Sequence, residues 1–184
     1  MILNLNPKII FLKDFLQSSK CKKFIENYDN KLQRSFVVDN KKNTVNPERT
    51  SKSKLLDNND TNIQKLLLKI SNVLKIPKEN CEPVVFTKYD IDEEYKPHFD
   101  AFKEPSKSNQ RTHTAILYLS KFDGGETYFD NLDLKINSEI GSICIFENCF
   151  FDTDHINPGS LHSGLKVNKG VKFIMTFWFR RHRF

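Results

Sequence analysis

The sequence has no C-x-x-C pair. Its four cysteines, Cys21, Cys81, Cys144 and Cys149, stand apart, which removes zinc-finger and dithiol redox spacings from consideration. Free thiols in a reducing compartment are the expectation. No apolar run approaches the length needed to cross a bilayer. The opening, MILNLNPKIIFLKDFL, lacks a basic region followed by a long apolar stretch, so it reads as the start of a fold rather than a secretory leader. A soluble, cytoplasmic chain is expected. Solenoid repeats and low-complexity tracts are missing too. Charge of one sign is in small excess: 29 Lys plus Arg against 23 Asp plus Glu leave +6, which permits an acidic or nucleic-acid partner without demanding one. What the chain does hold is phenylalanine, 16 residues in 184, so aromatic packing is expected in the core. With 38% hydrophobic and 28% charged residues, wholesale disorder, collagen and coiled coil are excluded.

The halves differ. Residues 1–80 carry two helical patterns. Phe24, Ile25 and Tyr28 recur at helical spacing, with Ser18 or Ser19 as N-cap; Ile63, Leu66, Leu67, Ile70, Val73 and Leu74 form a stripe capped by Asn59, Asp60 or Thr61. Between them a polar stretch, 39–60, reads as a long loop, either disordered or a mobile binding element. Residues 81–184 read as strands at 83–89, 112–119, 125–129, 140–146 and 171–179. Short β-branched and aromatic runs of this kind predict a sandwich or barrel, with the helices buttressing one face. One domain over 1–184 is expected, because the helices alone could not bury their stripes.

The chemistry starts at His98-Phe99-Asp100. In a strand, residues two apart project to the same face, so an imidazole and a carboxylate would stand side by side. A metal site needs a third ligand, and His113, His155, His162 and His182 are the candidates. His162 is preferred: LHSGLKVNKGVKF reads as strand, turn, strand, which would set His162 near Lys172 on an adjacent antiparallel strand. A cation beside a metal ligand calls for a dianion that chelates the metal at one end and pairs with the lysine at the other. Two histidines and an aspartate with three open positions are the facial triad of non-haem Fe(II) oxygenases. Zinc competes for the same ligands, and the lysine favours iron with an oxoacid. His155, between Asp152 and Asp154, is the rival third ligand, but Leu165 stands where its anion anchor would be; His113 and His182 read as groove or solvated histidines.

At this point KYDIDEEYKPHFD, RTHTAILYLSKFDGGETYF, IGSICIF and SLHSGLKVNKGVKFIMTFWF, in that order, resemble the 2-oxoglutarate and Fe(II)-dependent prolyl 4-hydroxylases of the collagen-type, algal, viral and bacterial branch. NPERTSKSKL and IIFLKDFLQSSKC are similar to the family's upstream segments. The resemblance implies an α+β fold, a double-stranded β-helix (jelly roll) over 81–184 buttressed by N-terminal helices, with a lid loop within 1–80. It implies that His98, Asp100 and His162 ligate Fe(II), and that Lys172 pairs with the distal carboxylate of 2-oxoglutarate. Tyr89 and Thr127 would line the cosubstrate pocket, Tyr95, Arg111 and Trp178 a peptide groove, and Arg49 the lid. The implied activity is 4-hydroxylation of proline in proline-rich or collagen-like peptides, with O2 consumed, 2-oxoglutarate decarboxylated to succinate and CO2, and ascorbate as a candidate accessory. No acid–base residue is required. The chain departs from the family at Asp92-Glu93, Lys166 and Arg180, often Gly-Gln, Pro and His there, and this touches substrate identity rather than the metal site.

Three functions stand as alternatives. A peptidyl-proline hydroxylase, or a relative acting on another residue, is first. A nucleic-acid oxygenase of the same superfamily is second, disfavoured because that group uses arginine, not lysine, after the distal histidine. A jelly-roll binding module with a vestigial site is third, and an intact ligand set argues against it.

Overall fold

The structure, a computed structural model, describes residues 1–39, 42–45, 48–103 and 109–184. A hairpin of β1 (Ile2–Leu5) and β2 (Lys8–Leu12) precedes α1 (Ser18–Tyr28). Four short strands follow: β3 (Gln33–Arg34), β4 (Phe36–Asp39), β5 (Lys42–Val45) and β6 (Lys52–Leu55). After α2 (Thr61–Leu74) come β7 (Val85–Tyr89), β8 (Tyr95–His98), β9 (Arg111–Tyr118), β10 (Phe122–Gly124) and β11 (Thr127–Phe129). The chain ends with β12 (Leu134–Ile136), β13 (Ile143–Glu147), β14 (His162–Gly164), β15 (Val167–Gly170) and β16 (Lys172–Arg180). The strands pair antiparallel into an eight-stranded sheet, β1-β2-β13-β9-β16-β7-β6-β3, and a four-stranded sheet, β12-β11-β14-β8; β10-β15 and β4-β5 form separate pairs. No helix among the described residues is long and apolar enough to cross a membrane.

Side-chain alternation divides the large sheet. Phe173, Met175, Phe177 and Phe179 of β16 join Ala115 and Leu117 of β9 and Ile143 and Ile145 of β13 in one cluster with the helices. Their alternates, Ile174, Ile116, Tyr118, Cys144 and Phe146, pack instead with Phe129 and Ile136 of the small sheet. The result is a jelly roll with helices on its back and a second, aromatic core between its sheets. The stripe Ile63, Leu66, Leu67, Ile70 of α2 is buried in the back cluster, each side chain contributing roughly 1.5–3 kcal/mol by burial.

Several expectations need correction. The first 80 residues are not helices and loop alone: β1, β2, β3 and β6 are four of the eight strands of the large sheet. The polar stretch 39–60 holds β5 and β6, while residues 40, 41, 46 and 47 lie outside the described residues. Asp60 caps α2, its carboxylate accepting from the Asn62 and Ile63 amides, but α1 starts after Gln17, which makes no side-chain cap. β8 stops at His98, so Asp100 sits past the strand end rather than in it. His162 and Lys172 are not hairpin partners. β14 pairs with β8 and β11, whereas β16 pairs with β7 and β9. The intervening β15 pairs with β10 instead of folding back, so the two residues reach a common pocket from opposed sheets.

Candidate metal centre and cosubstrate pocket

His98 and His162 face each other across the β8–β14 ladder. Ligand atoms of His98, Asp100 and His162 lie within 4.8 Å of one another. His98 Nε2 is 3.7 Å from Asp100 Oδ1, and His162 Nε2 is 3.6 Å from Asp100 Oδ2. Each ring is oriented through its other nitrogen: His98 Nδ1 lies 2.8 Å from the Lys96 carbonyl and His162 Nδ1 2.9 Å from that of Ser160. Paired this way, Nδ1 carries the proton and Nε2 presents its lone pair to the centre. The Tyr95 ring stacks on His98 at 3.5 Å between centres, and Phe146 packs edge-on to His162 at 4.8 Å. Thr114 Oγ1 donates to Asp100 Oδ2 over 2.7 Å. Burial works to raise the Asp100 carboxyl, but the two imidazoles, Arg111 and this hydroxyl together hold it below the usual carboxylate range. Burial, with His162 alongside, pushes His98 far below the ordinary histidine value. Two imidazole nitrogens and an ionised carboxylate are the donor set that a hard-to-borderline divalent cation requires.

Lys172 opens β16 opposite Tyr89 of β7. It is 2% exposed. Its ammonium donates to the Gly125 carbonyl over 2.7 Å and lies 4.8 Å from the centre of the Tyr89 ring. Burial pushes this lysine down to about 7, against an upward pull from Glu126. No carboxylate forms an ion pair with it among the described residues. A buried ammonium with a carbonyl and aromatic faces around it, and no carboxylate partner among the described residues, is a site prepared for an anion. The surroundings are kept open by missing side chains. A Cβ on Gly164 would come within 3.4 Å of Lys172 Nζ, and one on Gly125, at φ +64°, within 2.9 Å of Val167. Thr127, buried on β11, receives a 2.8 Å hydrogen bond from the Tyr118 hydroxyl.

The other four expected residues also reach this region. Arg49 and Tyr95 form an isolated antiparallel bridge, and the Arg49 guanidinium lies 4.8 Å from the Tyr95 ring centre. Arg49, Tyr95 and Trp178 line the same pocket as the three ligands, Tyr89, Thr127 and Lys172. Arg111 stands one layer out, stacked 4.0 Å over Trp178 and held by Glu82 in a two-pronged pair at 2.5 and 2.8 Å. The rejected histidines lie elsewhere. His155 and His182 are exposed, and His113 sits in a cavity of about 420 Å³ beside the end of α2.

Residues 84–180 match the sequence pattern of the 2OG-Fe(II) oxygenase superfamily. The chain belongs to that superfamily. This oxygenase is 30% identical to probable prolyl 4-hydroxylase 10 of Arabidopsis thaliana over the whole of its own chain and 72% of that protein. Its fold is similar to that of the viral collagen prolyl hydroxylase of Paramecium Bursaria Chlorella virus-1, solved as a 2OG complex, with a TM-score of 0.79, 24% identity and 95% and 96% of the two chains covered. It is also similar to a prolyl hydroxylase from Trichoplax adhaerens in complex with a hypoxia inducible factor peptide fragment: TM-score 0.71, 16% identity, 97% and 85% covered. At these identities the two structures speak to the fold.

Sequence reasoning missed the residues of this oxygenase that hold others in place: Thr114 on Asp100, Tyr118 on Thr127, and Glu82 on Arg111. Thr114 and Tyr118 share the pocket-facing alternation of Ile116 on β9, a signal present in THTAILYL. Glu82 left none, because nothing in its neighbourhood marks it as inward-facing.

Proposed function

We propose that this oxygenase hydroxylates peptidyl proline at C4, using Fe(II), O2 and 2-oxoglutarate, on proline-rich or collagen-like peptides. The observation that carries it is a two-histidine, one-aspartate cluster sharing a pocket with a buried lysine that has no acidic partner among the described residues. His98, Asp100 and His162 hold the metal. Lys172 binds the distal carboxylate of 2-oxoglutarate through a charge-assisted pair, and Tyr89 and Thr127 position the diacid by hydrogen bonding. When bound, the metal and diacid would supply the oxidising power with O2, one oxygen atom ending in succinate as CO2 is lost and the other in the substrate C–H bond. The chain's own work is placement and exclusion of water. Tyr95, Arg111 and Trp178 form the groove wall, and Arg49 covers the pocket from the segment before β6. No side chain serves as general base. The domain is single over 1–184, since α1 and α2 bury their stripes on the back of the sheet that carries Lys172.

The lysine disfavours a nucleic-acid substrate. The four cysteines are all buried and free, which suits a reducing, cytoplasmic setting. The test is anaerobic titration with Fe(II) and 2-oxoglutarate, followed by turnover on a proline-rich peptide with mass detection of one added oxygen. His162→Ala abolishes iron-supported turnover and His155→Ala leaves it intact. A product oxidised on a nucleobase overturns the proposal.

A further inference from the structure

Just past the end of β13 a polar side chain is buried where the strand pattern calls for an apolar one. Asn148 follows Cys144 and Phe146 in the alternation of β13, on the face that packs against the small sheet, and it is 0% exposed. An amide placed there costs free energy unless its groups are bonded. Its backbone extends the β9–β13 pairing, the amide nitrogen donating to the Thr112 carbonyl over 2.8 Å. Its side chain reaches across to β9, where Nδ2 donates to Thr114 Oγ1 over 3.0 Å.

Asp100 sets the polarity of this contact. A threonine hydroxyl has one hydrogen, and an ionised carboxylate only accepts. That hydrogen therefore goes to Asp100 Oδ2, at 2.7 Å. The 3.3 Å approach of Asn148 Oδ1 to the same hydroxyl is a contact rather than a second bond. The result is a directed chain, from Asn148 amide to Thr114 hydroxyl to Asp100 carboxylate, in which each donor polarises the next. The main chain of Asn148 serves another ligand. Its carbonyl accepts from the Asn157 amide over 3.0 Å and lies 3.1 Å from the Ser160 hydroxyl, and the Ser160 carbonyl orients His162 Nδ1.

We propose that Asn148 is a positioning residue for the metal centre, its side-chain amide fixing the Thr114 hydroxyl on Asp100 so that the carboxylate is held toward His98 and His162. This rests on the metal-binding role given to that triad above. It goes further by assigning work to a residue that touches neither metal nor substrate. Without the amide, the hydroxyl loses the donor that holds and polarises it, and Asp100 loses part of its support. Only the side chain carries this role. A substitution leaves the branch to His162, which runs through the main chain, in place.

The test is a double-mutant cycle on the full chain, with Asn148→Leu, Thr114→Val and the two combined. Fe(II) affinity is measured by anaerobic titration. Co(II) is titrated separately for its visible absorption, which follows the geometry of the ligands. Asn148→Leu should lower Fe(II) affinity about fivefold and alter the Co(II) spectrum. The combined variant should bind no more weakly than Thr114→Val alone, because the chain is already cut at the hydroxyl. Independent losses that multiply would overturn the proposal, as would an Fe(II) affinity that Asn148→Leu leaves unchanged. If Asn148→Leu does not fold, the unmodified protein still decides. Its Asn148 side-chain amide resonance should move when Zn(II), a diamagnetic stand-in, is added, and most of that movement should vanish in Thr114→Val. An amide that does not respond, or responds equally in Thr114→Val, overturns the proposal. Failure of the unmodified protein to bind Fe(II) would sink the metal centre and this chain with it, whereas normal binding with independent losses sinks the chain alone.

Discussion

Lys172 is the residue at which burial and function pull in opposite directions. An unfolded lysine titrates near 10.5, and burial brings this one down to about 7. Between those values the unfolded chain binds more protons than the folded one. Raising pH through that window therefore stabilises the ligand-free fold, and lowering it toward 7 removes that contribution. A bound carboxylate reverses the balance by favouring the ammonium. Binding of 2-oxoglutarate above pH 7 should then take up close to one proton, and calorimetry in buffers of differing ionisation enthalpy would measure it; no uptake would show that the diacid does not meet Lys172. Asp100 allows a second prediction. Thr114→Val keeps the shape of the side chain but removes the hydroxyl on Oδ2. Metal affinity should fall about tenfold with the fold retained, read by anaerobic Fe(II) titration beside a circular dichroism melt. At this scale the sequence is most legible where a residue's chemistry is scarce: a histidine two before an aspartate, a second histidine, and a lysine in an apolar strand. Thr114 and Glu82 were not legible, because threonine and glutamate are common and only their partners give them meaning.

Periodicity made α2 legible, since its four buried residues fall every three or four positions behind a capping carboxylate. Asp60→Ala should cost about 1 kcal/mol, appearing as a lower urea midpoint with an unchanged slope. The small strands gave no comparable signal. β3 and β6, QR and KSKL, have no inward apolar set, and they are held by backbone pairing at the edge of the sheet. β1 and β2 are short and separated by Asn6 and Pro7, so the sequence shows only an opening segment there. The bulge in β9 matters most for function. Strict alternation puts Arg111 on the same side as Ala115, against the helices, whereas the observed register puts it over Trp178. A one-residue slip in pairing is invisible to pattern, because it depends on the neighbouring strand.

Which sheet each functional residue occupies is a property of the whole molecule. His98 and His162 stand on the small sheet, and Lys172 and Tyr89 on the large one. A hairpin drawn from the sequence alone puts His162 and Lys172 on one sheet; the long-range pairing of β14 with β8 and of β16 with β7 separates them. A metal ion held by His98, Asp100 and His162 ties only one wall of the jelly roll. A diacid reaching from that metal to Lys172 ties both, and so it should stabilise the fold beyond what the metal contributes. At a hundredfold excess over its Kd a ligand adds about 2.7 kcal/mol, and in a chain of this size each kcal/mol moves Tm by about 2–4 °C. Anaerobic melts should show a first rise with Fe(II) and a second, of about 5–10 °C, when 2-oxoglutarate follows. Lys172→Met keeps the stem of the side chain and removes its charge. In that variant the metal increment should persist and the cosubstrate increment should shrink to a small remainder. Equal increments in both proteins would mean that the diacid binds the small sheet alone.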